Sequence, residues 1–159
     1  MLYYTMLYEY ECKIINVPIT ELRNKIEKNG GKRIHSSVLF RRYLFHLPNK
    51  NHNGFIRLRS EGRDRVTLTC KIFNSQSKYP KEDEIELKAD FDDAYHFLLN
   101  CGLKQKSYIE TKREKWSHPL VKEIVIDHWP GIEPYMEIDC ENEKNLQKAI
   151  KMFDIDKKH

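Results

Sequence analysis

The run Glu9-Tyr10-Glu11-Cys12-Lys13, inside an extended-looking stretch from Leu7 to Val17, constrains this chain more than any other feature. In a strand, successive side chains point to opposite faces. Glu9, Glu11 and Lys13 then share one face, and Tyr8, Tyr10, Cys12 and Ile14 share the other. One face is wholly ionic and the other wholly apolar. A solitary strand of this kind needs only water on its charged side. The constraint comes from repetition, because the same division recurs along the chain with charges of both signs.

Strand-like runs follow at about Arg33 to Leu47, Phe55 to Arg59, Arg65 to Phe73, Lys81 to Lys88, Ser107 to Trp116, Val121 to Trp129 and Tyr135 to Cys140. Clusters of Gly, Pro, Asn and Asp bound them. Their ionic faces carry Arg57 and Arg59, Lys71 beside Thr67 and Thr69, Glu84 and Glu86, Asp127, and finally Glu137 and Asp139. Ile56 and Leu58, Leu68, Cys70 and Ile72, Ile85 and Leu87, Ile124 and Ile126, and Met136, Ile138 and Cys140 occupy the opposite faces. Three amphipathic helices interrupt the strands. The first is capped by Thr20, striped by Ile19, Leu22 and Ile26, and stopped at Gly30-Gly31. The second begins at Asp92-Asp93 with Ala94, Phe97, Leu98 and Cys101 as its stripe, and Gly102 stops it. The third runs from about Asn142 to Phe153.

No repeat, low-complexity segment or linker divides the 159 residues, so one domain spanning 1–159 is expected. The economical fold is α+β: an antiparallel closed β-barrel of about eight strands, its apolar outer face partly covered by the helices and its ionic face left for the lumen or for solvent. Barrels of that size can enclose polar ligand cavities. Charges turned inward are not filler, because burying an unpaired charge costs several kcal/mol and paired ones often only break even. A lumen holding carboxylates together with Lys and Arg asks for a ligand. Mg²⁺ or Mn²⁺ suits the carboxylates as hard oxygen donors. A polyanion suits the basic residues, and a metal-bound polyphosphate satisfies both.

A charged fraction of 33% with a net charge of only +4 excludes a strongly basic nucleic-acid arm while leaving anionic ligands welcome. Cys12, Cys70, Cys101 and Cys140 show no CxxC spacing, and three of them alternate with charged residues where a small buried residue is wanted. They read as reduced and structural, which points to a cytoplasmic setting. The opening MLYYTML lacks the basic flank of a signal peptide, and no stretch is long enough to cross a bilayer.

The motifs resemble those of the CYTH superfamily, the triphosphate tunnel metalloenzymes. EYECK looks like the family's ExExK signature, Phe55-Ile56-Arg57-Leu58-Arg59 its RxR strand, and Leu68-Thr69-Cys70-Lys71 its LTxK strand. Lys81 to Glu86 is similar to its acidic strand, Lys112-Arg113-Glu114-Lys115-Trp116 to KRExW, Ile126-Asp127-His128-Trp129-Pro130 to xDxWP, and Tyr135-Met136-Glu137-Ile138-Asp139 to the closing YxEIE. The WP…YxEI ending looks most like the class IV adenylate cyclase branch. The resemblance implies a tunnel that binds a triphosphate with Mg²⁺ or Mn²⁺. It implies metal coordination by Glu9, Glu11, Glu137 and Asp139, phosphate binding by Lys13, Arg57, Arg59, Lys71 and Arg113, and Glu84, Glu86 and Asp127 as further acidic tunnel residues. Glu9, Glu11 and Lys13 are the implied catalytic group. Two departures stand out: the closing acidic pair ends in Asp139 rather than a glutamate, and Thr111 stands where many members have a basic residue.

The expected activity is metal-assisted hydrolysis of inorganic, thiamine or nucleoside triphosphate. The alternatives are an adenylate cyclase, in which a ribose hydroxyl replaces water, an RNA 5′-triphosphatase, and a non-catalytic polyphosphate binder. The expected partners are a triphosphate-containing small molecule or an RNA 5′ end, with no membrane, and the chain is expected as a monomer or homodimer. His128 and Trp129 read as turn residues, His35, His46, His52 and His118 lack ligand spacing, and Arg41-Arg42 and Lys104/Lys106 read as solvated faces that could steer anions.

Overall fold

The computed structural model describes residues 7–63 and 65–154; residues 1–6, Asp64 and 155–159 lie outside it. In chain order the elements are β1 (Leu7–Tyr8), β2 (Tyr10–Ile14), α1 (Ile19–Lys28), β3 (Lys32–Phe45), β4 (Asn53–Glu61) and β5 (Arg65–Phe73). They continue as β6 (Lys81–Leu87), α2 (Phe91–Asn100), β7 (Gln105–Ser117), β8 (Glu123–His128), β9 (Tyr135–Cys140) and α3 (Glu143–Met152). The expected first strand is split at Glu9 and ends at Ile14 instead of Val17, since Asn16 adopts φ 58°. The class is α+β with antiparallel ladders, as expected; closure of the strands into a barrel is not shown. The chain forms two compact units, one of Leu39–Glu110 with the stretch up to Glu9, the other of Tyr10–Val38 with the chain from Thr111.

In the first unit β1, β6, β5, β4 and the second half of β3 are hydrogen-bonded in that order. Strict antiparallel register places Arg57 opposite Thr69 and Thr69 opposite Glu84. Helix α2 covers the other face, where Phe91, Ala94 and Leu98 pack on Phe45, Leu58 and Val66. Burying a side chain such as Leu58 stabilises by about 2 kcal/mol. The helix is capped by Asp90, which accepts hydrogen bonds from the backbone N–H of Asp92 and Asp93, two residues earlier than the expected start. It ends in a Schellman turn: Gly102 N–H donates to the Leu99 carbonyl and Leu103 N–H to that of Leu98. Gly102 supplies the left-handed φ of 88° that this turn requires.

In the second unit β7, β8, β9 and β2 are neighbours. Their apolar face, with Ile124, Ile126, Met136 and Ile138 fully buried, lies with Leu22 and Ile26 of α1 and Leu146 and Ala149 of α3 in the core. Helix α1 begins at Ile19 after Pro18, so Thr20 is inside its first turn and does not cap it. Pro18 is the residue before the helix, with an extended ψ of 136°, and its carbonyl accepts the first helical hydrogen bond, from Leu22 N–H at 3.0 Å. Among the described residues no helix is long and apolar enough to cross a membrane.

In the first unit Arg59 and Lys71 are only 7% and 9% exposed and Thr67 and Thr69 fully buried, whereas Ile85 on the opposite face is 52% exposed.

Candidate functional site

Two ionic clusters carry the residues singled out from the sequence, one in each unit. In the first, Lys71 pairs with Glu9 and lies 3.7 Å from Glu82. Glu9 is fixed by its own backbone N–H, which donates to the Pro80 carbonyl at 3.0 Å. Arg57 donates through Nη2 to Thr69 Oγ1 at 3.1 Å and to Glu84 Oε2 at 3.2 Å. Arg59 Nη2 reaches the same Glu84 oxygen at 3.3 Å and Glu61 at 2.5 Å. The Thr69 hydroxyl donates to Glu84 at 2.8 Å. Burial pushes the Glu84 carboxyl up, but Arg59, the Thr69 hydroxyl, Arg57 and Arg65 together hold it below its usual range. Glu84 is therefore an ionised hub between two arginines. Glu86 stands at the margin, 60% exposed and tied to Arg65 at 3.0 Å.

The second cluster is organised by β2 and β9. Register places Glu11 opposite Asp139 and Lys13 opposite Glu137. The Lys13 ammonium lies 3.3 Å from Glu11 and 3.2 Å from Glu137. Burial opposes its charge, yet Glu137 and Glu11 hold it above the usual lysine range. Burial first and Glu11 second raise the Glu137 carboxyl, against the pull of Lys13 and Arg113. Asp139 meets Lys122 at 3.2 Å. Deeper in, Arg113 donates a two-pronged pair of 2.6 Å hydrogen bonds to Asp127, which is 1% exposed. Burial drives the Tyr135 hydroxyl up to about 12, reinforced by Asp127 and Glu137.

Each predicted residue thus has a charged neighbour, but the groupings differ from those read off the strand. Glu9 joins Lys71 in the first unit, while Glu11 and Lys13 join Glu137 in the second. Among the described residues no three His, Cys, Asp or Glu side chains are grouped to hold a metal ion, since Lys13 and Lys122 draw the carboxylates to themselves. The donor chemistry nevertheless fits a divalent cation: Glu11, Glu137 and Asp139 are hard oxygen donors adjacent in register, and the crowding of Glu137 by Glu11 is what such a cation relieves.

Arg42 departs from the expected solvated face. It is 3% exposed, opposite Arg59, rather than part of a solvated pair. Its neighbour Arg41 lies over the Phe91 ring, 4.6 Å from the centroid. Alternation carries the missing signal: adjacent residues of a strand face opposite ways, so two consecutive arginines cannot both face solvent when both sides are covered. Glu82 joins Glu84 and Glu86 on the acidic face of its strand, as alternation predicts, whereas Glu61, Arg65 and Glu123 join the ionic faces beyond the expected set. Glu114 belongs to the other face of β7, 1% exposed, accepting hydrogen bonds from Arg23 and from the Trp116 indole at 2.7 Å.

No family model and no curated protein matches this sequence. Solved structures do match, over nearly the whole chain. A conserved hypothetical protein from Pyrococcus furiosus aligns with a TM-score of 0.76 at 18% identity, over 94% of this chain and 92% of that one. A candidate adenylate cyclase from Vibrio parahaemolyticus aligns with a TM-score of 0.77 at 13% identity, over 94% and 90%. A candidate adenylyl cyclase from Hippeastrum, described as having a dominant triphosphatase activity, aligns with a TM-score of 0.65 at 11% identity, over 91% and 85%. At these identities the likeness is one of fold.

Proposed function

We propose that this protein is a metal-dependent triphosphatase of the CYTH type, hydrolysing inorganic, thiamine or nucleoside triphosphate. The observation that carries the reading is the enclosed ionic face of the first unit, where Arg57, Arg59 and Lys71 alternate with carboxylates behind an apolar, helix-covered side. A structure meant only for stability has no use for so many desolvated charges. The triphosphatase activity described for the Hippeastrum protein of the same fold supports it. A closed barrel belongs to the same proposal. It is supported by the continuity of residues 7–14, which pair with β6 through β1 and with β9 through β2, with Glu9 alone between.

In this reading Arg57, Arg59 and Lys71, with Lys13 and Arg113, hold phosphoryl oxygens and neutralise the charge that develops on the departing diphosphate. Arginine suits the task because it cannot lose its proton and presents a fixed fork of donors. Glu9, Glu11, Glu137 and Asp139 would hold Mg²⁺ or Mn²⁺, which supplies charge neutralisation and lowers the pKa of water when bound. Thr69 and Glu84 position the two arginines, and Asp127 positions Arg113. The chain's own acids thus keep the basic side chains extended and aimed before any substrate arrives. That pre-organisation lowers the cost of binding.

A second reading, adenylate cyclase, is favoured by the fold shared with the Vibrio protein. There a ribose hydroxyl replaces water as the attacking group. Incubation with ATP, thiamine triphosphate and inorganic triphosphate, each with Mg²⁺ or Mn²⁺, separates the two. Released phosphate supports hydrolysis, cyclic AMP with diphosphate supports cyclisation, and neither product from any substrate removes the enzymatic reading.

A further inference from the structure

On the ionic face of the first unit, β4 and β5 set their side chains directly opposite one another in rows. Arg59–Thr67 and Arg57–Thr69 are two of these; Phe55–Lys71 and Asn53–Phe73 follow toward the start of β4 and the end of β5. Alternation puts Phe55 on the face of Arg57 and Arg59, and Phe73 on the face of Lys71 and Thr69. The face that carries the basic groups therefore ends in two phenyl rings. Their centroids lie 6.0 Å apart, with the planes inclined at 57°. Phe73 is 43% exposed and Phe55 is half-buried. Helix α2 gives them no cover, because it packs on the other face with Phe45, Leu58 and Val66. A solitary exposed apolar side chain calls for no explanation. Two rings in contact, on a face otherwise given to arginine, lysine and carboxylates, do.

The open part of the Phe73 ring is suited to another flat π-system. Phe55 precedes Arg57 by two residues, roughly 7 Å along the strand, and stands opposite Lys71. That is the scale of the sugar or short linker between a flat ring and the first phosphoryl group of a triphosphate ester. With phosphoryl groups held at Lys71 and Arg57, the organic end of such an ester reaches the two phenyls, whereas inorganic triphosphate has nothing to place there. We infer that Phe73 and Phe55 form a stacking platform for the heteroaromatic head of an organic triphosphate. The platform presupposes the triphosphate reading and narrows its substrate to an ester, a nucleoside or thiamine triphosphate, over inorganic triphosphate.

The test is calorimetric titration of the whole protein with ATP, thiamine triphosphate and inorganic triphosphate, in chelator so that no turnover intervenes. Phe73→Ala is expected to weaken binding of at least one ester by about tenfold and to leave inorganic triphosphate binding unchanged. Phe73 is exposed enough to be truncated without unfolding the chain. Whichever ester responds is the one whose ring the platform takes. Phe73→Trp, which enlarges the ring, is expected to keep wild-type ester affinity or exceed it; a loss there as large as in Phe73→Ala counts against stacking. Unchanged ester affinities in Phe73→Ala, an equal loss for all three ligands, or wild-type protein that binds inorganic triphosphate alone each overturn the platform while leaving the triphosphate reading intact. No binding of any of the three, with no phosphate released from any of them in Mg²⁺, overturns both.

Discussion

Arg113 and Asp127 face each other across β7 and β8 and are joined by two hydrogen bonds of 2.6 Å, with Asp127 1% exposed. Removing one partner leaves an uncompensated buried charge, which typically costs about 3–5 kcal/mol. Asp127→Asn is therefore expected to lower stability by about 3 kcal/mol in chemical denaturation. Replacing both partners, as in Arg113→Met with Asp127→Leu, is expected to recover most of that loss while abolishing function. A single variant as stable as wild type would show that the pair contributes little.

Glu114 predicts a pH dependence. Burial raises its carboxyl, but the Arg23 and Trp116 hydrogen bonds and the charges of Arg23 and Arg33 hold it below the usual range. A carboxyl with a depressed folded-state pKa stabilises the fold above its unfolded value of about 4.3. That stability is lost as pH falls through the folded value. The stability gap between wild type and Glu114→Gln should be largest at neutral pH and vanish in acid. Equal pH profiles for the two proteins would contradict the assignment.

Glu11→Gln should abolish turnover without unfolding the chain. Its ion pair with Lys13 joins a half-exposed ammonium, so its contribution to stability is below about 1 kcal/mol. A loss of at least about a hundredfold in kcat is the expectation for a residue that holds the catalytic metal. Near-wild-type rates in Mg²⁺ would remove Glu11 from the site.

Gly54 lies within β4, where a Cβ would collide with the backbone carbonyl oxygen of Lys71 on β5. Backbone cannot yield as a flexible side chain does. Gly54→Ala is expected to cost about 1–3 kcal/mol and to weaken triphosphate binding by shifting Lys71. Unchanged melting and binding would show that the two strands part without penalty.

Most of the strands were legible because alternation is a strong signal when both faces are specified. Arg57, Leu58 and Arg59 can be placed in only one way around, and β5 and β9 match their expected bounds to the residue. Helix ends at Gly30 and Gly102 were legible for a similar reason, since few other residues close a Schellman turn. What the sequence hides is register. Nothing in Arg41-Arg42 says which of the two turns inward, and nothing in the Glu9–Lys13 run says that the strand breaks after Tyr8 and sends Glu9 to Lys71. Glu114 was hidden by its company: it shares the parity of Trp116 and so falls among apolar neighbours, where only a distant arginine from α1 makes it tolerable.

The same alternation places the thiols. Cys140 is 3% exposed, and burial, then Asp139 and Glu141, pushes its thiol up to about 11, while Cys101 lies exposed at the end of α2. A thiol-directed reagent therefore finds one cysteine at once and must wait for β9 to part from its neighbours before it meets the other. The labelling rate at Cys140 is a built-in clock for the opening of the second unit, readable by mass spectrometry without introducing any probe.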